Sequence, residues 1–117
     1  MVKKTYTYVG YIEIEYQPFI SFMKEILDAS KVRDRYAADI EKVIHYNDEN
    51  LEIYINEDSY DGFIFSAEYK GTFIEANEFI DNFTKKLKER NIKHQFEWSE
   101  VDENDEQIGE EFEIKYP

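Results

Sequence analysis

Residues 5–16 alternate without a break between two kinds of side chain, and this alternation constrains the fold of the chain more than any other feature. The mostly apolar parity comprises Tyr6, Tyr8, Gly10, Ile12, Ile14 and Tyr16. The other parity includes Val9, Tyr11 and Glu13. Successive side chains of a strand point to opposite faces of a sheet, so this period predicts a long strand with one buried face.

Two later stretches have the helical period instead. Apolar residues recur at helical spacing after Pro18 and predict an amphipathic helix that ends near Ser30. Thr72 and Glu75 match a capping box, and the stripe that follows predicts a second helix to about Arg90. Its acidic start and basic end complement the helix dipole.

The remaining segments are typical of strands. Runs at 42–46 and 51–56 flank the turn-forming residues 47–50 and predict a hairpin. Further strands are expected at 63–70, from His94 to Trp98 and from Ile108 to Tyr116, with an acidic loop between the last two. The charged stretch 31–39 is compatible with either a helical continuation or a loop.

The order strand, helix, strand, strand occurs twice, over 5–56 and 63–116. We therefore predict an α+β fold in one domain, residues 1–117, with pseudo-repeats 1–57 and 62–117. The duplicated βαββ units would form one antiparallel sheet with both helices packed on one face. This order of elements resembles that of the gyrase-inhibitor-like and haem-binding-protein-like effector domains, which implies the same duplicated fold. A ferredoxin-like arrangement with extra strands is the competing topology.

Length and composition limit the class of protein. A chain of 117 residues is the size of one domain. It has no cysteine, which excludes disulfides, thiolate metal sites and cysteine nucleophiles. No apolar stretch reaches the roughly 20 residues of a membrane span, and no apolar segment follows the first lysines. We expect a soluble, cytoplasmic protein.

The usual signatures of enzymes and metal sites are absent from the sequence. The two histidines, His45 and His94, lie in predicted strands and not in a His-Glu-x-x-His helix. Asp102 and Glu106 fit the start of an EF-hand frame, but Gln107 stands where that loop needs glycine. No nucleophile elbow or glycine-rich phosphate loop is present. We expect a non-enzymatic protein without metal or cofactor.

Charge gives the main functional prediction. The net charge is −13, which disfavours nucleic acid and anionic lipid as partners and favours basic proteins. Eight of the fourteen residues 100–113 are acidic and none is basic. Seven of these acids form the predicted partner-binding surface: Glu100, Asp102, Glu103, Asp105, Glu106, Glu110 and Glu111. The protein would dock a basic partner, as an inhibitor, an immunity-type factor or a nucleic acid mimic does. The alternative is that this stretch is only a solvated hairpin loop.

A second function is compatible with the aromatic residues. Tyr11 and Tyr54 fall on the parity opposite the predicted core, with Val9 and Ile64 as expected neighbours. Together with Trp98 they could line a groove between the two repeats and hold an apolar or cationic small molecule, as in an effector-binding domain. The tyrosines could equally cover a second small core or form a homodimer interface.

Overall fold

The structure is a computed structural model that describes residues 4–37, 41–59 and 62–117. Its strands are β1 (Lys4–Glu13), β2 (Val32–Ala37), β3 (Glu41–Asn47), β4 (Leu51–Ser59), β5 (Gly62–Gly71), β6 (His94–Val101) and β7 (Gln107–Tyr116). Its helices are α1 (Tyr16–Ile26) and α2 (Phe73–Glu89), and a short 3₁₀ turn at Ala29–Lys31 follows α1. The predicted α+β class is confirmed.

All seven strands belong to one antiparallel sheet in the order β2-β3-β4-β5-β1-β6-β7. The first strands of the two halves, β1 and β5, are therefore neighbours at its centre. Val9 of β1 lies opposite Ser66 of β5, and Ser66 in turn lies opposite Tyr54 of β4. Strands from both halves alternate across the centre, so neither half forms a sheet of its own.

The duplicated βαββ units are not confirmed. The stretch 31–39 was expected to be a helical continuation or a loop, but it contains β2, which pairs with β3 through Val32 and Tyr46. Among the described residues the first half therefore has one strand more than the second. The strand order also differs. After α1 the chain enters at the edge and moves inward through β2, β3 and β4, whereas after α2 it enters beside β1 and moves outward through β6 and β7.

Both helices pack on the same face of the sheet, and the core between them is largely aromatic. Phe83 of α2 lies with its ring centroid 5.3 Å from that of Phe65 and 6.0 Å from that of Phe96. Phe19 of α1 lies 5.2 Å from Phe63. A Cβ on Gly10 would stand 2.5 Å from the Phe96 ring, so glycine in the middle of β1 leaves room for that ring.

The helix ends follow local chemistry. The predicted capping box is present, because Glu75 N–H donates to Thr72 Oγ1 at 3.2 Å and Thr72 N–H donates to Glu75 Oε1 at 2.9 Å. The Tyr8 hydroxyl also donates a buried hydrogen bond of 2.8 Å to the Ala76 carbonyl, which connects β1 to the first turn of α2.

Among the described residues, neither helix has the length and apolar character needed to cross a bilayer.

Candidate functional site

The face of the sheet opposite the helices, which we call the open face, exposes apolar side chains at its centre. Within the described residues neither helix covers it. Val9, Tyr54 and Ile64 are 52%, 47% and 47% exposed. They belong to the adjacent strands β1, β4 and β5, and Tyr11 lies opposite Ile64 in the pairing of β1 with β5. The predicted placement of Tyr11 and Tyr54 beside Val9 and Ile64 is confirmed.

Two pairs of glutamates lie directly opposite each other across strands of the open face. Glu52 of β4 faces Glu68 of β5, and Glu97 of β6 faces Glu113 of β7. Like charges in directly opposed positions destabilise a sheet. The open face therefore carries repulsion that a positive partner would relieve.

The first of these pairs has partial local compensation. Lys70 Nζ lies 3.8 Å from Glu68 Oε1, and His45 Nε2 lies within hydrogen-bonding distance of Glu52 Oε2, at 3.4 Å. No described ion pair involves Glu97 or the carboxylate opposite it on β7. Within the described part of the chain, the pair of Glu97 and Glu113 therefore lacks the compensation that the first pair has.

Tyr54 is held in a fixed orientation on this face. Its ring stacks on the His45 imidazole with centroids 4.4 Å apart, and its hydroxyl donates to Glu52 Oε2 at 3.2 Å. A preoriented aromatic side chain loses little entropy when it is covered, so it can serve as an anchor for a partner. His45 and Glu52 were not predicted as site residues, because their contact with Tyr54 depends on the register of the β3–β4 hairpin.

The acidic stretch between β6 and β7 forms the predicted exposed turn. The Asp102 carboxylate closes the turn by accepting the N–H groups of Asn104 and Glu106 at 2.8 and 3.0 Å. The exposed acids of the predicted surface are Glu103, Asp105, Glu106, Glu110 and Glu111. Asp105 lines a depression of about 340 Å³ on the open face, together with Val9 and Tyr54. The turn therefore brings a carboxylate to the rim of the apolar patch.

Glu100 differs from the other acids of the stretch. It lies opposite Tyr6 in the pairing of β1 with β6, and its carboxylate is 3.6 Å from Lys4 Nζ. Burial and, secondarily, the charge of Glu100 raise the pKa of Tyr6. Among the described residues this is the one ion pair made by the stretch 100–113. Glu100 is therefore partly buried and paired with Lys4, unlike the exposed acids of the stretch.

Tyr11, Tyr54 and Trp98 do not line a common groove. Trp98 is 3% exposed on the helix side of the sheet, where its ring lies 5.6 Å from Tyr8 and 4.8 Å from Phe112. Tyr11 and Tyr54 lie on the open face, and the tip of the Tyr11 ring covers Gly62. The sheet itself separates the tryptophan from the two tyrosines.

The two histidines are also separated by the sheet. His94 is buried on the helix side, where its Nδ1 lies 2.9 Å from the Ile92 carbonyl oxygen, whereas His45 lies on the open face. Burial lowers the pKa of His94, and the hydrogen bond to Ile92 opposes this effect. No group of three or more His, Asp or Glu side chains suited to a metal ion occurs in the described part of the chain.

The open face combines an aromatic anchor, two apolar side chains and several carboxylates. Lysine and arginine suit such a surface, because their charges pair with carboxylates and their stems pack on apolar groups. Fold alone does not indicate function, so similarity to known proteins would be independent evidence. The chain matched none of the protein-family models, curated proteins or solved structures with which we compared it.

Proposed function

We propose that this protein is a non-enzymatic binding module whose open face docks a basic protein surface. The observation that carries the proposal is the position of the apolar patch. One row across the sheet runs Tyr54, Ser66, Val9, Glu97, Glu113, so exposed apolar groups lie directly beside a pair of like-charged carboxylates. An apolar centre with a charged rim is the usual anatomy of a protein interface.

The two parts of this surface have different roles in docking. Tyr54 and Val9 would be desolvated under the partner and supply most of the affinity. The surrounding carboxylates, with Asp105 at the rim and the net charge of −13, would attract a positive partner and raise its association rate. An arginine of the partner over the Tyr54 ring would combine both effects.

Other occupants of the open face fit its charge less well. A second copy of the chain would bring the same carboxylates of Glu97 and Glu113 against each other. Nucleic acid and anionic lipid would be repelled for the same reason. An inhibitor, an immunity-type factor or a nucleic acid mimic would each present such a surface to a basic target. The cytoplasmic location predicted from the sequence remains a prediction.

The test is affinity capture from an extract of the source cells, followed by binding measurements with the purified partner. We expect a basic partner whose affinity falls steeply as salt is raised. Tyr54→Ala should weaken binding by about tenfold or more, because it removes the central anchor. Glu97→Gln should slow association.

A matched control separates charge at the interface from charge in general. Glu89→Gln removes the same charge from the exposed end of α2, on the helix side of the sheet. This variant should associate at the wild-type rate, while Glu97→Gln should also raise the stability of the free protein, because it relieves the repulsion with Glu113. A neutral or acidic partner, or equal effects of the two glutamine variants, would contradict the proposal.

The alternative function expected from the sequence is a small-molecule-binding domain. We do not propose that Tyr11, Tyr54 and Trp98 form its ligand site. Those residues lie on two sides of the sheet. A ligand groove would therefore need a different set of side chains.

A further inference from the structure

A groove on the helix side of the sheet opens between the C-terminal end of α1 and the first half of α2. Its volume is about 490 Å³, within the range of small-molecule sites. Ile26 at the end of α1 and the following residue, Leu27, line one side, and Tyr69 lines it from the end of β5. The side from α2 includes Glu78, Phe79 and Asn82. None of these residues belongs to the open face.

The floor of the groove is aromatic and supported from below. Tyr69 and Phe79 stack with ring centroids 6.2 Å apart and an interplanar angle of 23°. Phe79 in turn contacts Tyr8 at 5.4 Å and Phe83 at 5.7 Å, and both of these are core residues. A ligand in the groove would therefore meet ring surfaces that the core already holds in place.

Two carboxylates, those of Glu75 and Glu78, belong to residues that line the groove. Burial raises the pKa of Tyr69, and the charges of Glu75, Asp48 and Glu78 raise it further, so three carboxylates act on this hydroxyl. The Glu75 carboxylate accepts hydrogen bonds from the Thr72 N–H and hydroxyl groups in the capping box at the start of α2. Glu78 is exposed on α2 and makes no ion pair among the described residues.

Lys31, a basic side chain whose charge acts on Asp48, is paired outside the groove. Lys31 Nζ lies 3.9 Å from Asp28 Oδ2, and its charge acts on Asp28 and Asp48. The carboxylate of Glu78 is thus available to a ligand. These carboxylates would repel an anionic ligand, and a neutral ligand would gain no charge–charge attraction from them.

We infer that this groove binds a small organic cation, an amine or quaternary ammonium compound with an apolar or aromatic body. The body would pack on Phe79, Ile26 and Leu27, and the positive charge would lie between the face of Tyr69 and the carboxylate of Glu78. Aromatic faces and a carboxylate together are the groups that recognise ammonium ions. This site is separate from the docking surface of the proposed function, and either can fail without the other.

The test uses three compounds of the same shape and different charge: 3-phenylpropylamine, 3-phenylpropan-1-ol and 3-phenylpropanoate. Their binding to the full chain would be measured by calorimetry and by NMR shifts of the Tyr69 and Phe79 rings. We expect the amine to bind about tenfold or more tightly than the alcohol, since the cation gains both the ring face and the carboxylate. The carboxylate compound should bind most weakly.

Three variants locate the site and its charge. Glu78→Gln should reduce the preference for the amine over the alcohol to a few-fold, and Glu89→Gln, a matched change on the same helix, should leave it unchanged. Asn82→Trp fills the groove from an exposed position and should abolish binding of the amine while the thermal unfolding of the protein remains cooperative. Equal affinity for amine and alcohol, absence of binding at millimolar concentration, or unchanged binding in Asn82→Trp would each overturn the inference.

Discussion

The two faces of the sheet are made by the same strands and yet have opposite character. Neighbouring residues of β5 show the contrast, because Phe65 is fully buried under α2 and Ile64 is nearly half exposed on the open face. The helix side holds the aromatic core, and the open face holds opposed glutamates beside apolar groups. Stability is therefore concentrated on one face, which leaves the other free to carry a surface that is unfavourable for the isolated protein.

The prediction with the largest expected effect compares the loss of stability in Phe65→Ala with that in Ile64→Ala. Phe65→Ala should cost about 3–5 kcal/mol, because it opens a cavity beside Phe83 and Phe96 in a packed aromatic cluster. Ile64→Ala should cost about 0.5 kcal/mol or less, as is usual for exposed positions. Denaturant unfolding of the two variants measures the difference.

If Ile64→Ala were as costly as Phe65→Ala, the open face would be a second core and not a free surface. The proposed docking function would then lose its basis. A small loss of stability with a large loss of partner affinity would support it.

A smaller test compares two tyrosines that point to the same side of β1. The Tyr8 hydroxyl donates to the Ala76 carbonyl at 2.8 Å, whereas the buried Tyr6 hydroxyl has no hydrogen-bond partner among the residues that the structure describes. Tyr8→Phe should cost about 0.5–1.5 kcal/mol, the usual net value of a hydrogen bond. Tyr6→Phe should be neutral or slightly stabilising, since it removes a desolvated group that gains nothing. A loss of stability in Tyr6→Phe similar to that in Tyr8→Phe, measured by urea unfolding, would show that the Tyr6 hydroxyl is satisfied in solution.

Alternation predicted which side chains share a face within β1, but it extended the strand too far, because β1 ends at Glu13 and Tyr16 begins α1. It placed Tyr8 in the core and Tyr11 and Tyr54 opposite to it, because side-chain direction in a strand follows from sequence parity alone. The start of α2 could also be predicted from neighbouring residues, because the capping box needs only Thr72 and Glu75. Features determined within one element could thus be predicted from the sequence.

Features that depend on how strands are paired could not be predicted. The opposed glutamates Glu52 and Glu68 are sixteen positions apart, and only the register of β4 against β5 brings them together. β2 carries no clear period, and it becomes a strand through its pairing with β3. The groove at Tyr69 and Phe79 likewise depends on where the end of α1 lies relative to α2, which no local pattern specifies.

The last expected effect is a pH dependence of stability, and it tests how well the helix side of the sheet is closed to water. Burial lowers the pKa of His94 below its ordinary value of 6.5, so below that pH the unfolded chain binds more protons than the folded one. Stability from this group is complete above about pH 6.5 and is lost as pH falls toward the folded pKa, with a slope of at most about 1.4 kcal/mol per pH unit. His94→Asn keeps a donor near the Ile92 carbonyl and removes the titration. Urea unfolding between about pH 7.5 and 5.5 should therefore show a decline that His94→Asn lacks, when both are measured in a His45→Asn background that removes the other histidine. An identical decline in the two proteins would mean that water reaches the His94 ring, and that the helix side of the sheet is less closed than its packing indicates.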